Sequence, residues 1–379
     1  MESQNVRPIK LGPYTSVKAA STWLAAEARP GTFSVVKDFG FSLFAEGVAL
    51  GILRGYTNAN RPYELSLSFP FTTGVSDSVM NETPLGSLFG LSAAYGAHRV
   101  TDSRGIEIQT ELLDALWSSV QKGGGEVGDG KRRYVIFRDP DYSVPHCLRH
   151  SSTKSFPIPS EFESLIRQMC LKLTGQGTAG LPFSESSIIT FLYEAVRNSH
   201  EHGRYDKNGQ VITGIRGVIA EKYIFESAGA MMKRKDLPEP IKHYLARLWQ
   251  PEPGSLTGEG AHRGKMLFSF TVSDFGQGIQ NTLPAVENES PWVRLNRAFS
   301  PGESRKPRGD DLNRGLGLTK VWRAAAKLKA FLFVSSADLM GYKDFSSGTS
   351  ANGPLLEKAG STPGRLGTSI TLLWPVLPK

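Results

Sequence analysis

The chain has 379 residues, which is more than one hydrophobic core usually contains. Of these residues 39% are hydrophobic and 21% are charged, a composition typical of a folded globular protein. Its two cysteines exclude a disulfide framework, and neither lies in a pattern with zinc-ligand spacing. The most apolar stretch, 39–56, contains Glu46 and Arg54, and the first residues lack the apolar core of a signal peptide. We therefore expect two domains, a cytoplasmic location and no membrane partner.

Residues 1–150 are predicted to form a small α/β module. The spacing of apolar residues and the β-branched content predict its elements in the order helix, strand, helix, helix and strand, over 17–28, 63–71, 84–97, 108–120 and 133–138. A glycine-rich linker, GGGEVGDG, precedes the last strand.

Residues 151–379 are predicted to form a second α/β domain. The expected order is helix 160–173, a helix through IITFLYEAVRNSHEHG, strand 211–224, strand 265–272, a helix from Leu318, strand 330–335 and a last strand from Thr368. An insert at 225–264, with a predicted helix over 240–249, interrupts this order. Residues 280–313 are rich in Pro, Gly, Glu and Arg with little periodicity, which predicts a long functional loop.

The helix through IITFLYEAVRNSHEHG carries a polar pair. Ser184 can cap this helix, and Ile188 and Leu192 fall on its buried face. Glu194 and Asn198 lie one turn apart on a shared face. Asn198 offers a hard oxygen ligand suited to Mg²⁺, and Glu194 can take a proton from water or a hydroxyl. The alternative is a solvated polar pair.

Two glycine-containing turns follow. Strand 265–272 runs into SDFGQG, where a carboxylate, Asp274, precedes Gly276 and Gly278; the glycines let the backbone approach a flat ring, and the carboxylate can accept from an exocyclic amine. RGLGL, at 314–318, precedes a helix whose first N–H groups and dipole favour phosphate. Each segment alone is also typical of an ordinary turn.

Four segments, EAVRNSHEHG, VSDFGQGI, RGLGL and GTSITLLW, occur in this order along the chain. They resemble the N-box and the three glycine/threonine boxes of the GHKL ATPases, the superfamily of gyrase, heat-shock chaperones, histidine kinases and mismatch-repair ATPases. The resemblance implies a Bergerat-type α/β sandwich over 151–379 that binds ATP and Mg²⁺. It assigns Asp274 to adenine, Asn198 to the metal and Glu194 to catalytic proton abstraction.

The resemblance also implies a wider set of nucleotide-binding residues and an ATP lid. The predicted cofactor-binding residues are Asn198, His202, Gly203, Asp274, Gly276, Gly278, Gly315, Leu316, Gly317 and Thr368. The lid corresponds to 280–313. Its basic side chains Arg305, Lys306 and Arg308, together with Arg314 directly after the lid, could fold over a triphosphate.

Two functions stay open at this point. The N-box resembles most closely that of the anti-sigma-factor serine kinases, which favours an ATPase or a serine/threonine protein kinase acting on a partner protein. The long N-terminal region and the insert favour a nucleotide-gated switch that controls assembly of a larger stress or defence complex.

Several partners are compatible with the sequence. A protein partner would bind the N-terminal domain or the insert at 225–264, and a homodimer is also open. The stretch at 98–117, HRVTDSRGIEIQTELLDALW, resembles the STAS fold of anti-sigma antagonists. The net charge of +8 comes from short basic clusters scattered along the chain, which favours a solvated surface over a nucleic-acid interface without excluding one.

Overall fold

The structure is a computed structural model. It describes residues 9–11, 15–20, 32–36, 41, 43–58, 62–71, 87–122, 126–128, 131–139, 145, 156–174, 185–206, 208–225, 228–235, 237–248, 265–301, 316–347 and 356–376. None of the helices within these ranges has the length and apolarity needed to cross a lipid bilayer.

The N-terminal part builds a small parallel sheet with the strand order β1-β2-β3-β4. Its strands are β1 Ile9–Leu11, β2 Thr32–Val35, β3 Glu64–Leu67 and β4 Arg99–Thr101. Its helices are α1 Ala45–Asn58, α2 Leu88–Gly96 and α3 Gln109–Lys122. Parallel strands need crossover connections: α1 connects β2 to β3, and α2 connects β3 to β4, so the α/β character predicted for this part is confirmed.

A second sheet has eight strands in the order β11-β10-β9-β12-β8-β7-β6-β5, and its neighbouring strands pair antiparallel. Its strands are β5 Glu126–Gly128, β6 Arg132–Asp139, β7 Gly214–Phe225, β8 Lys265–Asp274, β9 Phe331–Ser336, β10 Leu339–Asp344, β11 Glu357–Ser361 and β12 Thr368–Val376. The chain changes from the small sheet to the large one between Thr101 and Glu126, upstream of the expected domain boundary at residue 150.

Three helices cover one face of the large sheet, here called the front face. They are α4 Pro159–Thr174, α5 Glu185–Glu201 and α10 Gly317–Lys327. Their apolar stripes pack on Phe268, Phe270 and Trp374 of the central strands, which are buried. The predicted helical spacing on α5 is confirmed, because Ile188 and Leu192 belong to this core; Ser184, the predicted cap, lies outside the described residues.

The opposite face of the large sheet, here called the back face, is covered by the N-terminal part. Helix α1 is buried along most of its length, and Phe44 just before it stacks on Phe333 of β9 at a centroid distance of 4.7 Å. Three of its glycines, Gly47, Gly51 and Gly55, recur every fourth residue against the segment 364–369. A Cβ atom on Gly51 would lie 2.6 Å from the carbonyl oxygen of Leu366. These glycines therefore let α1 lie directly on the start of β12, and the two parts share one core.

A group of buried charges also joins the two parts. Arg132 of β6 pairs with Glu221 of β7 at 2.8 Å and donates to the carbonyl of Phe41 at 2.6 Å. Glu46 of α1 accepts the backbone N–H of Phe89 at 3.0 Å. Burial raises the pKa of Glu46 to about 7, and the positive charge of Arg132 opposes that rise.

The insert and the predicted lid contain short helices. In the insert, α6 Ala228–Met232 precedes α7 Glu239–Leu248, which is the helix predicted at 240–249 shifted by one residue; α7 places Ile241 and Tyr244 in the core of the back face. In the predicted lid, the structure has α8 Ile279–Thr282 and α9 Pro291–Arg297. The Ser290 side chain caps α9, so this part of the expected loop is helical.

Candidate functional site

The polar pair of α5 lies where this helix meets the start of α10. Glu194 is 4% exposed, and its Oε1 forms an ion pair with Lys320 Nζ of α10 at 2.7 Å. A Cβ atom on Gly317 would lie 3.4 Å from Glu194 Oε2 and 3.0 Å from Asn198 Nδ2. Glycine at position 317 therefore lets the first turn of α10 approach both polar side chains.

Asn198 carries an unsatisfied polar atom. Its Nδ2 is buried, and none of the described residues accepts a hydrogen bond from it. An orphaned buried amide costs about 1–3 kcal/mol, so an acceptor placed beside it would stabilise this position. The two ends of an Asn amide exchange by rotation, so the same position can present a carbonyl oxygen to a cation.

The second polar element of the site, Asp274, lies at the end of β8. It pairs in register with Thr368 at the start of β12. Asp274 Oδ1 accepts the backbone N–H of Gly276 at 3.0 Å and that of Thr368 at 3.1 Å. One carboxylate oxygen is thus fixed by two backbone donors, and the turn after β8 and the strand β12 orient the side chain together.

The backbone at the end of α5 passes directly beside this carboxylate. A Cβ atom on Gly203 would overlap Asp274 Oδ2, so only glycine fits at that point. The EAVRNSHEHG segment and the DFGQG segment therefore meet at the Gly203–Asp274 contact.

Burial raises the pKa of Asp274 to about 7. The N–H groups of Gly276 and Thr368 and the charge of Arg216 oppose this rise, whereas Asp139 adds to it. Arg216 and Asp139 form a buried ion pair at 2.6 Å on the neighbouring strands. A hydrogen-bond donor in the cleft would favour the ionised form of this carboxyl group.

These residues line one cleft of about 470 Å³, a volume that includes solvent at its mouth and lies in the range of small-molecule sites. Its apolar walls come from residues that include Val272, Ile279, Leu318 and Ile370. Its predicted residues are Asn198, His202, Gly203, Asp274, Gly276, Gly278 and Thr368.

The other predicted residues lie beside the cleft or outside the described part. Leu316 and Gly317 form the N-terminal end of α10. Glu194 does not line the cleft but lies beside Gly317, with its Oε2 3.4 Å from a Cβ atom placed on that glycine. Thr368, a predicted cofactor-binding residue, donates its backbone N–H to Asp274. Gly315 and the basic residues Arg305, Lys306, Arg308 and Arg314 fall outside the described residues.

The sequence reasoning did not identify Lys320 as part of the site. Nothing local to the sequence indicates that α10 and α5 are neighbours. The usable signal was its position three residues after Gly317, which places it on the first turn of that helix. His200 lies in the last turn of α5. Burial lowers its pKa to about 4, and the charges of Arg216 and Arg204 add to this shift.

No family model matches this chain, and no curated protein matches its sequence.

Proposed function

We propose that the cleft is a nucleotide site and that the chain is a Mg-ATP-binding protein of the GHKL type. The observation that supports this most is the Asp274 carboxylate. It is buried, fixed through one oxygen by two backbone N–H groups, and lines a cleft with aliphatic walls. This arrangement suits a flat apolar ring with one exocyclic amine, which is the adenine ring.

The start of α10 supports the phosphate end of this proposal. Gly317 opens the helix, and the unpaired N–H groups and dipole of a helix N-terminus favour anions. The helix begins within contact distance of Asn198 and Glu194. In the proposed arrangement, adenine contacts Asp274 and the phosphates extend toward Gly317.

Asn198 fits the metal that such a nucleotide carries. Its orphaned amide faces the space between α5 and α10, and a single amide oxygen is a sufficient protein ligand for Mg²⁺, which usually takes its other ligands from phosphate and water. Bound Mg²⁺ would neutralise phosphate charge and polarise the transferred group. Asn198 would orient this metal relative to Glu194, one helical turn away.

Glu194 is the proposed general base. Its carboxylate would accept the proton of an attacking water or protein hydroxyl at Oε2, while Oε1 stays paired with Lys320. The ion pair holds the side chain in one orientation. Lys320 is therefore the proposed positioning residue for this base.

Incubation with ATP labelled on the terminal phosphate tests the proposal and separates its two forms. Phosphate on a serine or threonine of an added partner protein identifies a kinase, and release of free phosphate identifies an ATPase. Failure of the full chain to bind ATP in calorimetry, with and without Mg²⁺, would overturn the proposal.

One observation favours a nucleotide-gated switch as the second candidate. The hydroxyl of Ser369 donates to the carbonyl of Gly47 at 3.1 Å, one residue beyond the Thr368 that binds Asp274. The N-terminal part thus contacts the strand that orients the proposed adenine carboxylate. In this form, a partner bound to the N-terminal part or the insert would respond to nucleotide binding. ATP-dependent assembly that continues in a non-hydrolysing variant would identify it.

A further inference from the structure

A second cavity lies on the back face, behind the turn that carries Asp274. It encloses about 340 Å³, solvent at its mouth included, between the ends of α1 and α2, the start of β7 and the side chain of Phe275. Its walls include Leu53, Tyr95 and Ile215, so the body of the cavity is apolar and partly aromatic. Its volume suits one small molecule.

Three hydroxyl groups of this cavity, those of Thr57, Tyr63 and Ser92, donate to helix carbonyls. Tyr63 donates to Ala93 at 3.0 Å, and Ser92 donates to Leu88 at 2.7 Å. Thr57 donates to the carbonyl of Leu53 at 2.9 Å. Each of these oxygens still has lone pairs, but their hydrogen atoms are not available to a ligand.

Arg54 supplies a cationic donor to the cavity. Its Nε is buried, and no described residue accepts a hydrogen bond from it. Burial lowers the pKa of Arg54, and the negative charge of Asp206 opposes that effect. A guanidinium remains charged in a protein, so the cavity has a cationic donor beside aromatic and aliphatic walls.

We propose that this cavity is a second ligand site for a small planar anion, an aromatic carboxylate. The carboxylate would accept from the Nε of Arg54, and the ring would lie against Tyr95 and Phe275. A guanidinium matches carboxylate geometry and gives a charge-assisted hydrogen bond. The apolar walls favour an aromatic body over a hydrated inorganic anion.

The second site is joined to the cleft through Phe275. This residue lies between Asp274 and Gly276, whose N–H binds the Asp274 carboxylate. Its ring packs so closely on the backbone of β7 that a Cβ atom on Gly214 would lie 2.5 Å from Phe275 Cδ2. A ligand that contacts the Phe275 ring therefore acts on the turn that orients Asp274. This coupling rests on the proposed nucleotide site, whereas the binding of the anion does not.

Benzoate is the probe for the anion site. Saturation-transfer NMR on the full chain should show saturable binding of benzoate, and Arg54→Met should weaken it by at least about tenfold, because a hydrogen bond to a charged group is lost. Arg99→Met is the matched control, since Arg99 is an exposed arginine that pairs with Glu107 away from the cavity. Arg99→Met should bind benzoate as the parent chain does. Thermal melts establish that both variants fold.

Three outcomes decide the proposal. Absence of saturable benzoate binding, or equal binding by folded Arg54→Met, would overturn the anion site. Saturating benzoate should change ADP affinity by about fivefold or more, and ADP should change benzoate affinity by the same factor; unchanged ADP affinity would overturn the coupling. Arg54-dependent benzoate binding in a chain that binds no nucleotide would support the anion site and overturn the proposed function.

Discussion

The front and back faces of the eight-stranded sheet each bury a carboxyl group whose pKa is raised to about 7. On the back face, Glu46 lies near Arg132, and Arg132 forms an ion pair with Glu221. The charged groups there are therefore compensated by neighbouring protein groups. On the front face, Asp274 lines an open cleft together with the unsatisfied amide of Asn198. Burial of a carboxyl group therefore does not distinguish the proposed site; the open cleft and the unsatisfied amide of Asn198 do so.

Exchanging each buried carboxyl group for its amide tests this difference most strongly. In Asp274→Asn, the amide oxygen must accept from Gly276 and Thr368, which turns the NH₂ group toward the cleft, where it would oppose an adenine amine. We expect ATP affinity to fall by about 10⁴-fold, the discrimination seen where a site hydrogen-bonds a ligand N–H. Glu46→Gln should leave ATP affinity within about twofold. Calorimetry on both folded variants makes the measurement, and comparable affinities would remove Asp274 from the site.

A second pair of variants compares two carboxylates on one helix. Glu194→Gln should retain ATP and lower its turnover by about 10²- to 10⁴-fold, because the proposed general base is lost. Glu201→Gln is the matched control, since Glu201 is also ion-paired on α5, with Arg197 at 2.8 Å. Phosphate release is measured for both. Parental turnover in Glu194→Gln would show that the carboxylate is structural.

A change to the back face tests how tightly the N-terminal part is joined. In Gly51→Ala, the new methyl group would meet the Leu366 carbonyl, and overpacking of this kind costs about 1–3 kcal/mol. The higher helix propensity of Ala offsets up to about 1 kcal/mol of that loss. We expect a lower free energy of unfolding in denaturant, with Ser118→Ala on the exposed side of α3 as the control. Equal or greater stability would mean that α1 can move away from β12 without cost.

The metal ligand is tested by comparing two buffers. Asn198→Ala should weaken ATP binding by about tenfold in Mg²⁺, because losing a residue that supports a metal typically lowers metal affinity by at least that factor. In EDTA, where no metal is bound, the loss of ATP affinity should be far smaller. Asn208→Ala, at an exposed turn, is the control. Equal losses in both buffers would assign Asn198 a structural role.

The pH dependence tests both buried carboxyl groups in the parent chain. The folded pKa of both Asp274 and Glu46 is raised above the unfolded value, so each stabilises the fold fully below about pH 4 and that contribution is lost as pH rises through about 7. The amide variants should flatten this dependence over pH 4 to 7. ATP affinity should rise by about tenfold from pH 6 to 8 in the parent chain, as Asp274 ionises. An affinity that falls over this range would contradict the assignment of Asp274 as the acceptor.

The sequence predicted most elements of the front face because their patterns are local. The residues of α5 and α10 repeat at helical spacing, and the apolar and β-branched run of β8 ends directly at Asp274. The neighbourhood of Asp274 and Thr368 could be inferred only from the order of the boxes, since no local pattern shows that β12 pairs with β8.

On the back face, strand 63–71 and the helices at 84–97 and 108–120 were predicted and correspond to β3, α2 and α3, whereas α1 was not predicted. Helix α1 is buried along most of its length and contains Gly47, Gly51 and Gly55, which lower its helix propensity. Its helical form depends on packing between two layers. The pairing of Lys320 with Glu194 spans 126 residues of sequence and is likewise set by tertiary structure.

The position of α1 also has a consequence for the order in which the chain folds during synthesis. Ser369, which hydrogen-bonds Gly47, is separated from it by 322 residues, and a ribosome needs roughly 15 to 65 s to add that length. Throughout this time the apolar helix α1 is already synthesised, but β12, the strand against which it packs, is not. The nascent chain should therefore be a strong substrate for holdase chaperones until β12 is complete, and synonymous slowing of translation between these two points should increase aggregation more than slowing elsewhere.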